Sequence, residues 1–150
     1  MNTRKRAFTL VELIISVGIL GLLLALAVQS FSNFSRVQSL AASATALAEA
    51  LRDARARTLA SVSASQYGVK VDANQFILFK GSSFASSTAG NETFAFPYPV
   101  AASSSIWTFT FTRVTGNSSA SGTIDLYLPG LPGSQKKTVS IQTTGLVSIQ

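Results

Sequence analysis

One ionisable side chain interrupts the run of residues 8 to 28, and it is Glu12. A carboxylate among Leu, Ile and Val ionises only beside a cation or hydrogen-bond donors, and otherwise holds its proton. Just before it, Arg4, Lys5 and Arg6 form a cationic cluster with no acid among them. The other carboxylates, Glu49, Asp53, Asp72, Glu92 and Asp125, are scattered and lack calcium-loop spacing. The chain has neither His nor Cys. That removes imidazole bases, Ser-His-Asp triads and thiolate metal sites. No phosphate-binding or nucleophile-elbow motif occurs either. The expectation is therefore a non-enzyme with no cofactor and no metal site.

The surroundings of Glu12 decide what it can do. Residues 8 to 28, FTLVELIISVGILGLLLALAV, contain fourteen Leu, Ile, Val or Phe. As a helix, this stretch spans roughly 30 Å, the thickness of a bilayer's hydrocarbon core. Those side chains contribute about −4 to −8 kcal/mol toward insertion, against at most about +3 for a carboxylate at the helix centre. Insertion wins. The basic cluster in front keeps the N-terminus cytoplasmic and sends the remainder across the membrane. A second account of the same residues is a secretory signal peptide cleaved after Ala25-Leu26-Ala27, before Val28. Gly18, Gly21 and Ala25 form a small-residue stripe suited to helix contact.

Beyond the span the apolar residues keep helical spacing: Phe31, Phe34, Val37, Leu40, Ala44, Leu47, Leu51, Ala54, Leu59 and Val62. No proline lies between Phe8 and Ser65, so one helix with an amphipathic second half over residues 29–65 is expected. On its exposed side Glu49 and Arg52, and Asp53 and Arg57, have ion-pair spacing, and Arg52, Arg55 and Arg57 read as a solvated face. From Tyr67 the period changes to two. YGVKVD and QFILFK read as a hairpin around residues 72–74, with Tyr67, Val69 and Val71 on one face. ETFAFPYPV, SSIWTFTFT and GTIDLYL read as strands, and Trp107, Phe109 and Phe111 as core. GSSFASSTAGNET reads as a polar loop, and the end of the chain as a hairpin turning at Thr143-Thr144-Gly145. A long helix followed by strands predicts an α+β fold: the helix packed on an antiparallel β-sheet head over residues 66–150.

RKRAFTLVEL followed by a clean apolar span resembles the N-terminus of type IV pilins and type II secretion pseudopilins. The resemblance implies a leader of residues 1–7, removed by prepilin peptidase between Ala7 and Phe8, with N-methylation of Phe8. The family usually carries Gly where this chain has Ala7. It further implies an inner-membrane subunit that later joins a helical fibre with other pilin subunits and an assembly platform. In such fibres Glu12 would meet the α-amine of a neighbouring subunit and set its register. The missing early proline, the Ala/Arg-rich second half of the helix and the terminal T-V-x-I…G-x-V-x-I pattern resemble the GspH/FimT group of minor pseudopilins. Some FimT-like pilins bind DNA through a Gly-Arg-x-Arg pattern near the last hairpin. Here Gly145-Leu146-Val147-Ser148 stands at that place, and Lys136 and Lys137 are the nearest cations. Two lysines would give only a weak, salt-sensitive phosphate contact. The net charge of +6 is thus partly a topology signal, since three of the twelve basic residues lie in the implied leader.

Overall fold

The computed structural model describes residues 8–86, 89–103, 107–130 and 135–150. The expected leader, residues 1–7, lies outside them, as do the start of the SSIWTFTFT segment and part of the Pro/Gly turn before Lys136. The chain divides into two compact units, Met1–Ser35 and Arg36–Gln150. Helix α1 covers Leu10–Leu59 and is followed by a short 3-10 turn at Val62–Ala64. Among the described residues eight strands follow: β1 (Tyr67–Asp72), β2 (Gln75–Lys80), β3 (Glu92–Ala95), β4 (Ala101–Ala102), β5 (Trp107–Thr110), β6 (Gly122–Tyr127), β7 (Lys136–Ile141) and β8 (Val147–Ile149). The architecture is α+β, as the change of period from helical to twofold predicts.

The strands do not make one sheet. They form two antiparallel four-stranded sheets, ordered β3-β2-β1-β5 and β4-β6-β7-β8. The step between them is β4, a two-residue strand that the sequence pattern does not announce. Its Ala102 N–H donates to Ala73 O in the first hairpin's turn, while Ala101 and Ala102 pair with Tyr127 and Leu126 of β6. Both expected hairpins are present, β1–β2 around residues 73–74 and β7–β8 around residues 142–146.

Both sheets and the second half of α1 share one core. Leu40, Ala44, Leu47, Leu51 and Ala54 meet Val69, Val71 and Phe109 of one sheet and Ile124, Leu126 and Val139 of the other. The steps of three and four keep these helix residues on one face, and their burial is the main stabilising term for this unit. The buried face is shorter than the pattern suggests. Phe31 and Phe34 are 73% and 61% exposed, and Val37, Leu59 and Val62 are also exposed. At the C-terminal end the buried place belongs to Thr58 instead of Leu59. The Thr58 hydroxyl donates to Ala54 O at 2.8 Å and accepts the Tyr67 N–H at 2.9 Å. It thereby satisfies the first amide of β1, which burial would otherwise leave without a partner.

Strand β2 carries four consecutive buried residues, Phe76 to Phe79, so both of its faces are covered. The Ser-rich loop supplies one cover: Phe84 meets Phe79 edge-on at 5.6 Å, and Lys70 Nζ lies 4.6 Å from the Phe84 ring centre. A single aromatic in a polar stretch gives no periodic signal, so this lid is invisible in the sequence. Beneath it, Gly68 is a requirement of close approach, because a Cβ there would come within 2.5 Å of Phe109 O and of the Phe79 ring. Phe109 and Phe111 are fully buried, as expected, whereas Trp107 is half-buried and stacks on Phe109 at 5.8 Å.

Replacing Thr58 with Val keeps its volume but leaves the buried Tyr67 amide unpaired. Thermal unfolding of the full chain in detergent should show a loss of about 1–3 kcal/mol for Thr58→Val, and Thr58→Ser should recover most of it. Equal stability of Thr58→Val and the parent would refute this role for the hydroxyl.

Candidate functional site

Helix α1 begins two residues after Phe8, and its start is chemically specified. The Glu12 N–H donates to Thr9 Oγ1 at 3.2 Å, and the Leu13 N–H donates to Thr9 O at 3.2 Å. Thr9 is therefore the N-cap: its hydroxyl satisfies the Glu12 amide, which a helix start cannot pair internally, and its carbonyl accepts the first helical bond. The signal was legible as Thr9-Leu10-Val11-Glu12, the Thr-x-x-Glu spacing of a capping box, but Thr9 does not figure among the residues picked out by sequence reasoning. Glu12 sits in the first turn, where the positive end of the helix dipole favours an acid. Among the described residues its carboxylate makes no ion pair. One turn further, Ser16 Oγ donates back to Glu12 O at 2.7 Å, which removes that hydroxyl from the apolar surface as an unmet donor.

From Leu10 to Val28 every large apolar side chain is exposed. Within α1 lies a stretch apolar enough and long enough to cross a membrane, and none of it is buried. Gly18 and Gly21 face open space, with no atom within 4 Å of where a Cβ would stand. An ordinary soluble core helix would be covered. This one presents its apolar surface all round, with Glu12 as its single charge. The basic cluster Arg4, Lys5, Arg6 and the Ala7 side of the expected cut lie outside the described residues; Phe8 is described and exposed.

The arginines of the second half of α1 are more than a solvated face. Arg52 donates to Val147 O at 3.1 Å, and Arg55 donates to Gly116 O at 3.0 Å and Thr144 O at 3.3 Å. These bonds fasten the helix to the terminal hairpin and to the loop between β5 and β6. Gly145, at φ +77°, is packed so close to Gly116 O and Arg55 that a side chain would not fit. The expected Asp53–Arg57 pair forms at 2.8 Å, and Arg57 also reaches Glu92 on β3 at 2.6 Å. Glu92 first, then Asp53, raises the Arg57 pKa further above its ordinary value. Arg52 is spent on the Val147 carbonyl, and among the described residues Glu49 has no ion pair.

Lys136 and Lys137 are neighbours on β7, so their side chains leave opposite faces of the sheet. Lys136 Nζ lies 3.5 Å from Asp125 Oδ2, and Thr138 Oγ1 donates to Asp125 Oδ1 at 2.5 Å. Among the described residues no group of three or more Asp or Glu side chains could hold a metal ion.

Residues 2–28 match the family model described as the prokaryotic N-terminal methylation motif. The match supports the type IV pilin and pseudopilin class, whose defining N-terminus is a prepilin substrate and whose members are structural subunits. No curated protein and no solved structure matches the chain.

The Thr138 hydroxyl, and with it Lys136, holds the Asp125 carboxyl below its ordinary pKa. A lowered folded pKa stabilises the fold above the unfolded value of about 3.9, and that contribution disappears as pH falls through the folded value. Asp125→Asn should therefore show a shallower fall in Tm below about pH 4 than the parent chain. Parallel acid limbs for the two proteins would contradict this assignment.

Proposed function

We propose that this chain is a structural subunit, and a minor one, of a type IV pilus or type II secretion pseudopilus. In this reading it is made as a single-pass inner-membrane prepilin with a cytoplasmic N-terminus and its β-rich head outside. Prepilin peptidase cuts between Ala7 and Phe8 and methylates the new Phe8 amine. An assembly platform then draws the apolar helix out of the bilayer into a fibre with other subunits. The observation that carries the reading is the coincidence of two features. The methylation motif over residues 2–28 overlies the first part of a helix that starts at Leu10, and every large apolar side chain from Leu10 to Val28 is exposed.

The physics of Glu12 gives assembly a reason. Phe8 and Glu12 are four residues apart, so after cleavage an α-amine lies about one helical turn, roughly 5–6 Å, from the carboxylate. In lipid both charges are costly, and pairing offsets that cost. A neighbouring helix shifted by about one turn brings its amine level with this carboxylate. Apolar helices slide on one another with little preference, so one buried charge pair fixes the register as a polar residue does in a coiled coil. The GspH/FimT placement is supported by the order of elements: helix, immediate hairpin, Ser-rich loop and terminal hairpin. DNA binding by the head is not favoured, because Lys136 and Lys137 leave opposite faces of β7.

Mass spectrometry of the chain purified from cell envelopes tests the proposal. The expected mature N-terminus is methyl-Phe8; a chain beginning at Val28 would establish ordinary secretion instead. Glu12→Ala should remain membrane-inserted by carbonate extraction, since the apolar side chains outweigh the acid. The same variant should be lost from sheared fibres, and normal incorporation would show that register does not depend on this charge.

A further inference from the structure

Strand β3 is an outer strand of the first sheet, and all of its residues, Glu92–Ala95, are exposed. Two bonds just beyond the strand ends fix which way its backbone groups point. Gly81 N–H donates to Gln66 O, so by antiparallel alternation Gln75, Ile77 and Phe79 of β2 bond toward β1. Phe96 N–H donates to Asn74 O, so Phe76 and Leu78 bond toward Phe94 and Glu92 of β3. Thr93 and Ala95 therefore turn their N–H and C=O groups outward, and among the described residues no further strand takes them. An edge of this kind is a template for one more extended segment.

Beside this edge lies an apolar groove with an acidic end. Phe94 stacks on Phe76 at 5.1 Å, on the side of β3 that faces α1, and is 43% exposed. Across from it the small side chains of Ala42, Ala46 and Ala50 leave two adjoining hollows of about 230 Å³ each. A strand added to β3 places the side chain opposite Phe94 on that same face, beside the alanines. Its next side chain on the face, two residues along, stands opposite Glu92. Glu49 and Asp53 line the hollow there, so among the described residues three acids face one cation, Arg57. Asp53 and Glu92 share that cation, and Glu49 has no ion pair among the described residues.

We infer that the β3 edge and this groove receive an extended segment of a different protein, whose α1-facing side chains are an apolar residue and, two positions away, a Lys or Arg. Thr93 and Ala95 supply the main-chain pairing, Phe94 and the alanines take the apolar side chain, and the acids take the cation. A second copy of this chain does not meet that description. Its other outer strands, β4, β5 and β8, read Ala-Ala, Trp-Thr-Phe-Thr and Val-Ser-Ile, with no Lys or Arg among them. A second β3 would set its own Glu92 against the acids. The inference goes beyond the proposed fibre role and does not depend on it, since every residue it uses lies within Arg36–Gln150.

The probe is a short synthetic peptide in which Thr alternates with Val and Lys, dye-labelled and titrated with the full chain in zwitterionic detergent. Fluorescence anisotropy should show saturable binding that weakens as salt rises. Ala95→Pro removes one outward N–H and no bond to β2, so binding should weaken about tenfold while the thermal transition of the chain holds. Thr93→Pro is the second variant of this kind should the first fold poorly. Glu49→Lys should also weaken binding about tenfold, and a peptide with Glu in place of Lys should recover it on that variant. Absence of binding, equal binding by the parent and a folded proline variant, or binding indifferent to salt would overturn the inference. So would a dimer of this chain that Ala95→Pro abolishes, because the edge would then belong to a second copy.

Discussion

Helix α1 carries an apolar surface from Leu10 to Val28 that the rest of the described chain leaves bare. Water cannot be the resting partner of that surface, because each buried apolar side chain gains about 1.5–3 kcal/mol over an exposed one. The helix must lie in lipid or among other helices. Most of what is distinctive about the protein follows from that constraint. A single acid is most tolerable within the run near its end, where the helix dipole helps. Thr9 then caps the helix by accepting the Glu12 amide.

The same helix serves a second, different environment. From Leu40 onward it is apolar on one face only, and two sheets cover that face. Residues that look spare in the pattern do the fastening. Thr58 joins the helix end to the first amide of β1, Arg55 holds two loop carbonyls, and Arg57 ties edge strand β3 through Glu92. Each of these bonds runs from a helix side chain to a partner 9 to 89 residues away. The methylation motif and the head therefore make separate demands on one continuous element. The first requires an apolar surface without a preferred face, and the second requires a face with a defined edge.

Much of the fold was legible from periodicity. The helix, the two hairpins and the alternating Phe109 and Phe111 follow from spacing alone, because burial on one face imposes a period of 3.6 or 2. The apolar face was read too long, with Phe31, Phe34, Leu59 and Val62 exposed, because spacing records what could be buried and not what covers it. Of the site, Glu12 stood out as a lone charge in an apolar run, whereas Thr9 was missed although its Thr-x-x-Glu spacing is local. Phe84, lying over Phe79, could not have been found, since one aromatic in a polar loop has no period.

The sequence by itself determined the N-terminal motif, the apolar span with its single acid, and the absence of imidazole and thiol chemistry, all of which depend on composition and near-neighbour order. Only the tertiary structure decided that the strands split into two sheets at β4 and that Arg52 and Arg55 bind carbonyls of the terminal hairpin. It alone brought Glu49 and Asp53 of α1 beside the outer strand β3 and its Glu92. Those outcomes depend on which distant segments meet, and a residue's neighbours in space are not written in its neighbours along the chain.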